Sequence, residues 1–160
     1  MFGTVTIRSS KIPSCCSSSP TPAAYDPGVA TIFTRIINGE IPGRFIWKDD
    51  ICVAFLDVRP LARGHVLVVP RAEVDQWTDL DAETVGHLTG VAHRIGQAQQ
   101  ALLSPARIGL MIAGFEVPHV HVHVVPLATM SDLDFAHADT DPDQADLDSL
   151  REQLAAALEN

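Results

Sequence analysis

The stretch Pro118-His119-Val120-His121-Val122-His123-Val124-Val125-Pro126 places three of the chain's seven histidines at alternate positions. Side chains alternate faces along a strand at roughly 3.3 Å per residue, so His119, His121 and His123 share one face and Val120, Val122 and Val124 the other. The valine face belongs to a core. The histidine face has three readings. A purely structural row must find a partner for every ring nitrogen, a demand that grows with each added imidazole. A metal site is the second reading, since a pair of imidazoles two apart can chelate. The third is histidine as nucleophile and proton carrier. A nucleophilic histidine needs one ring nitrogen free and the other held as a donor, and His121, flanked on both sides, suits that part. Its attack on phosphorus would give a phosphoramidate that water then hydrolyses.

Outward from this stretch, 160 residues at 46% hydrophobic suffice for one α+β domain and are short for two. A net charge of −9 with scattered basic residues argues against a nucleic-acid surface. No apolar run is long enough for a membrane span and the start lacks a secretory pattern. Cys15, Cys16 and Cys52 form neither a disulfide framework nor a Cys-x-x-Cys half-site, which fits a reducing cytoplasm. Residues 1–29, rich in Ser and Pro, read as a disordered leader. Residues 30–130 then form the catalytic domain and 131–160 an acidic extension.

Within the domain, Ile32, Phe33, Ile36 and Ile37 predict a first helix over 31–38, stopped by Asn38-Gly39. Strands follow at 44–48, 51–57 and 65–70, a long helix from 79–81 to about 103, and a fourth strand at 107–113. The connection 114–117 is short and the histidine strand is the fifth. Val85, Leu88, Ala92, Ile95 and Leu102 stripe the long helix and offer a surface for dimerisation. Leu147, Leu150, Leu154 and Leu158 predict an amphipathic C-terminal helix, its acids a solvated face.

The motif resembles the signature of the histidine triad family, His-x-His-x-His-x-x with apolar x. Ile36-Ile37-Asn38-Gly39-Glu40-Ile41-Pro42, Phe55-Leu56-Asp57-Val58-Arg59-Pro60 and Gly64-His65-Val66-Leu67-Val68-Val69-Pro70 resemble that family's other blocks in order and spacing. The resemblance implies a five-stranded antiparallel sheet with two main helices, a homodimer, and a nucleotide cleft over the sheet. It implies His121 as nucleophile on an α-phosphate, His119 and His123 as its flanking imidazoles, and His65 in the proton relay. Asp57 would accept bonds from ribose hydroxyls, with Val58, Phe33 and Ile36 as further nucleotide contacts. A third histidine, where the transferase branch has Gln, implies hydrolysis. The expected ligand is a purine nucleotide, an adenosine or guanosine monophosphate derivative, and no cofactor is called for.

Two departures from the family pattern bear on function. Many members hold a structural zinc with Cys-x-x-Cys at the first helix and a histidine after the third strand. Those positions read Thr31, Thr34 and Glu73, so no zinc is expected. The loop before the triad is also shorter, and Glu116 stands where a hydroxyl is usual. An ionised Glu at ~4 Å from a phosphate would cost about 4 kcal/mol per charge pair at an effective dielectric near 20. Three roles are therefore open to Glu116: to act protonated as a general acid, to contact a cationic or hydroxyl-bearing leaving group, or to point away. The first two favour a nucleoside phosphoramidase over a dinucleoside polyphosphate hydrolase. A nucleotide-binding module with little turnover is the reading from another class.

Overall fold

A computed structural model describes residues 29–159; the Ser/Pro-rich stretch expected to be a disordered leader and the Cys15-Cys16 pair lie outside the described residues. The elements run α1 (Ile32–Ile37), β1 (Phe45–Lys48), β2 (Cys52–Leu56), β3 (Val66–Pro70), α2 (Ala82–Leu103), β4 (Arg107–Ile112), β5 (Val122–Leu127) and α3 (Gln144–Leu158). The strands form one antiparallel sheet in the order β1-β2-β3-β5-β4, an α+β arrangement as the sequence predicts.

Local chemistry sets the joints. Thr31 caps α1 by accepting the Thr34 N–H, and Asn38 ends it, with Gly39 following at φ 80°. Asp49 turns β1 into β2 by accepting the N–H groups of Ile51 and Cys52 through one oxygen. Its other oxygen takes Trp47 Nε1–H at 2.6 Å and contacts His87 Nε2 of α2 at 2.8 Å, which ties the turn to the helix. Burial alone would raise the Asp49 carboxyl, but these hydrogen bonds outweigh it and hold the group well below the usual range. Burial, with the Asp49 charge beside it, pushes the neighbouring Cys52 thiol up to about 12, so a protonated thiol sits beside an ionised carboxylate in a structural joint.

The sheet has a core on each face. Ala54, Leu56, Val66, Val68, Val122 and Val124 pack under α2 and α3. Val53, Phe55, Leu67 and Val69 pack against Phe33 and Ile36 of α1. Leu88, Ala92 and Ile95 of the long helix lie in the first of these cores, so most of the stripe assigned above to dimerisation is covered by the chain's own sheet. That helix also starts later than the acids at 79–81 predict. Leu80 is extended at ψ 147°, and Asp81 is the N-cap, bonding the Thr84 N–H.

The C-terminal helix buries Leu147, Leu150, Leu154 and Leu158 in the same core as β2, β3 and β5. Its acids are less purely solvated than expected, since Asp146 pairs with Arg63 at 2.6 Å and Asp148 with Arg44 at 2.7 Å. Exposed pairs of this kind are worth ~0–1 kcal/mol, so the leucines hold the helix. Leu150 is fully buried, and Leu150→Ala is expected to cost about 2–5 kcal/mol of the unfolding free energy, measured by urea denaturation. A single transition at a lower midpoint is expected; a separate early transition of α3 alone would show that it folds apart from the sheet.

Candidate active site

The histidine stretch is a ladder strand only from Val122 onward. Upstream, the His119 N–H bonds Val117 O at 2.8 Å and the Val120 N–H bonds Val74 O at 2.7 Å, outside the β3 register. The expected straight row is therefore bent at its first member. His119 turns toward α1, while His121 and His123 stay together with ring centroids 4.8 Å apart. All three rings are buried, and Val122 and Val124 face the opposite core as the alternation predicts.

His65 reaches the row from the start of β3. Gly64, at φ 92°, precedes it with its carbonyl held by the buried Gln99 amide, which also donates to Val124 O. A Cβ at Gly64 would meet Leu103 Cδ1 at 2.6 Å, so the approach depends on glycine. His65 Nε2 then lies 2.9 Å from His123 Nδ1.

Hydrogen-bond partners fix the ring tautomers. The Leu61 N–H donates to His65 Nδ1 at 3.1 Å, so the neutral ring carries its proton on Nε2 and donates it to His123 Nδ1. His123 consequently keeps its own proton on Nε2. His121 Nδ1 donates to His119 O at 2.7 Å, which leaves His121 Nε2 as a free lone pair. His119 Nε2 donates to Pro70 O at 2.8 Å, and its Nδ1 accepts from the Thr31 hydroxyl at 2.9 Å.

Burial keeps all four rings neutral, pushing His65 down to about 3 and His123 to about 4, with neighbouring imidazoles adding to the effect. His119 and His121 are also lowered by burial, offset in His121 by its bond to His119 O and by the charges of Asp57 and Glu116. Burial raises the Asp57 carboxyl. Asp57 accepts the Arg59 N–H at 2.9 Å and lies 3.4 Å from His65 Nδ1, a contact with a neutral ring and not an ion pair. Asp57, His65 and His123 bring three donor atoms within 4.8 Å of one another. His65 Nε2 and His123 Nδ1 are committed to each other and His65 Nδ1 to the Leu61 N–H, which suits a relay better than a metal.

Two adjoining clefts open beside the rings. One, of about 440 Å³, is lined by His121, His123, Asp57, Val58, Phe115 and Glu116. The other, of about 980 Å³, is lined by Phe33, Ile36, Phe45, Asp57 and Val58. Phe33, Asp57 and Val58 border both. Phe33 also packs edge-on against His121, with centroids 5.0 Å apart. Glu116 is exposed on the histidine cleft. Every residue expected at the site thus lies in or beside this groove, with His119 and His65 set one layer behind it.

The groove has further walls that no motif in the sequence marks. Phe135 packs its ring 5.3 Å from His123, and Asp139 N–H holds its segment to Pro60 O. Gln144, Asp148 and Arg151 of α3 border the larger cleft. Phe135 as an isolated aromatic in an acidic stretch was the available signal.

Residues 38–130 match the family model for the HIT domain. The chain belongs to the HIT family. An uncharacterised HIT-like protein of Methanocaldococcus jannaschii is 35% identical over 99 residues, covering 59% of this chain and 77% of the relative. A zinc-bound histidine triad family protein from Mycobacterium smegmatis superposes with a TM-score of 0.66 at 31% identity, over 80% of this chain and 92% of that one. A HIT family hydrolase from Legionella pneumophila superposes at 0.54 with 29% identity, over 63% and 96%. Both HIT structures match this chain's fold, the second over the shorter span.

The neutral imidazoles give this HIT domain a pH signature. Below about 6.5 the unfolded chain takes up protons that buried His65 and His123 refuse until about 3 and 4. The unfolded state then binds more protons, so stability falls as pH drops from about 6.5 toward 4. The raised Asp57 acts in the opposite sense, as one group against several. Urea midpoints taken across that window should fall, and less steeply in a His65→Asn, His123→Asn double variant; an equal slope in both proteins would contradict the assignment.

Proposed function

We propose that the chain hydrolyses a nucleoside monophosphate joined to an amine or another small leaving group, through a nucleotide carried on His121. The observation that supports this most is the lone pair on His121 Nε2, left free at the histidine cleft because Nδ1–H is committed to a backbone carbonyl. Nε2 attacks phosphorus, the bond to the leaving group breaks, and an N–P bond forms. The positive charge that develops on the ring is steadied by His119 O at Nδ1. Water then attacks phosphorus, releasing the nucleoside monophosphate and restoring His121. His123 Nε2–H, adjacent to His121 and backed by His65, is a donor for phosphate oxygens.

In this reading the purine nucleoside occupies the larger cleft against Phe33, Ile36 and Val58, and Asp57 binds the ribose hydroxyls where the clefts join. Exposed Glu116 sits on the leaving-group side, where it contacts a cationic or hydroxyl-bearing group. The protein works as a homodimer in the cytoplasm. The outer edge of β4, which no described strand pairs, and its exposed Leu110 are a surface for the second copy. Among the described residues no helix is long and apolar enough to cross a membrane.

A second reading, a nucleotide-binding module with little turnover, is favoured by the connection 113–117, which offers Phe115 and Glu116 but no side-chain donor to a phosphate. Radiolabelled adenosine phosphoramidate mixed with protein and quenched in alkali separates the two. Acid-labile label is expected on wild type and absent, reduced at least 100-fold, on His121→Ala; tight nucleotide binding without label supports the module. Because burial lowers the His121 pKa, labelling should persist below pH 6.5 before its acid limb appears.

Leaving-group preference tests Glu116. Wild type should cleave the phosphoramidate at least tenfold faster than a dinucleoside tetraphosphate, and Glu116→Ser should narrow the ratio. A wild-type preference for the tetraphosphate means that the enzyme is instead a dinucleoside polyphosphate hydrolase.

A further inference from the structure

The three positions that depart from the zinc pattern meet in space. Thr31 and Thr34 stand at the start of α1 and Glu73 follows β3, and the buried His119 ring closes the group. One Glu73 oxygen accepts the Thr31 N–H at 3.0 Å and the Thr34 hydroxyl. The Thr31 hydroxyl donates to His119 Nδ1 at 2.9 Å and itself accepts the Thr34 N–H at 3.2 Å. His119 Nε2–H goes to Pro70 O.

Each proton in the group has one destination. Thr31 has a single hydroxyl hydrogen and two acceptors in reach, His119 Nδ1 at 2.9 Å and Glu73 Oε2 at 3.1 Å; with His119 Nε2–H committed to Pro70 O, Nδ1 has no other donor, so the hydrogen goes to it. Glu73 then receives the remaining two donors, which makes it the anchor for both threonines. This donor set does not fit zinc. It has no thiolate, its hydroxyls are neutral, and the imidazole nitrogen facing the group is engaged by Thr31.

What the group holds is His119, and His119 is not an end point. Its carbonyl accepts His121 Nδ1–H at 2.7 Å, the bond that frees Nε2. Its ring meets Phe33, which packs on His121. A shift of His119 therefore reaches the nucleophile through the backbone within two residues. We propose that Glu73 is a positioning residue for His121, acting through a metal-free clamp of Thr31, Thr34 and His119 that fastens α1 and the bend before β5. The proposal rests on His121 as the reacting group, and Glu73 touches no substrate.

The test reads the rings directly. In uniformly ¹⁵N-labelled protein, long-range ¹H–¹⁵N spectra should show His119 protonated at Nε2 and His121 at Nδ1. Glu73→Ala should mix both tautomers, lower the labelling rate at least tenfold, and change nucleotide affinity less than threefold. Glu73→Gln, whose carbonyl oxygen still accepts both threonine donors, should recover most of the rate and both tautomers.

Unchanged tautomers and rate in Glu73→Ala overturn the proposal, as does one zinc per chain retained by wild type but lost with Glu73. If Glu73→Ala fails to fold, Thr31→Val and Thr31→Ser serve, the first expected to show the defect and the second to spare it; equal behaviour of the two overturns the clamp. Should wild type take no label at all, the reaction assigned to His121 fails, while the ring spectra still decide the clamp.

Discussion

Four buried imidazoles must each be given one donor and one acceptor, and the rest of the structure is arranged to do it. A buried ring nitrogen without a partner loses its bond to water with nothing in exchange, at a cost of ~1–3 kcal/mol. Here the partners come from every side of the groove. Leu61 N–H serves His65, His65 serves His123, a backbone carbonyl serves His121, and Thr31 with Pro70 serves His119. Two ring nitrogens are left open to the cleft by this scheme, the N–H of His123 Nε2 and the lone pair of His121 Nε2, and only the second is nucleophilic. The structural and the catalytic readings of the histidine row are thus not rivals, since the partners that stabilise its other members are what leave that nitrogen available.

Much of this was legible in the sequence because it depends on period and punctuation. The alternation through Val122 and Val124 marks a strand with one face in the core, and the leucine spacing from Leu147 to Leu158 marks a buried helix stripe. What escaped was long-range. Nothing local says that His119 leaves the strand, because the bonds that bend it run to Val117 and from Val120 to Val74. The stripe on α2 could face a partner or its own sheet with equal amphipathicity, and only tertiary packing chose the sheet. Likewise the substitutions Thr31, Thr34 and Glu73 read in sequence as a loss, whereas in space they form a group with its own bonding.

The segment after β5 shows how a domain outgrows its signature. The family match ends at residue 130, yet Phe135 packs on His123 and Gln144, Asp148 and Arg151 border the larger cleft. The leucines of α3 anchor this segment in the main core, so its polar face is carried to the groove at a fixed position. Arg44, which could otherwise project into that cleft as a free cation, is held by Asp148 and Gln144. The segment therefore adjusts the groove's charge as well as its walls.

Charge also bears on which phosphate the groove can accept. With every imidazole neutral, the histidine cleft offers hydrogen bonds to phosphate oxygens but no positive ring, and Arg59 is the cation on its lining, beside the carboxyls of Asp57 and Glu116. A multiply charged polyphosphate tail would meet Glu116 with little to offset it, at roughly the 4 kcal/mol per close pair that an effective dielectric near 20 gives. A phosphate of low charge meets no such penalty, and a cationic leaving group turns the same carboxylate from repulsive to attractive. The depressed imidazoles and the acidic rim thus point the same way. Neutral imidazoles suit the nucleophile proposed at His121, and the acidic rim suits the amine-like departing half proposed for its substrate.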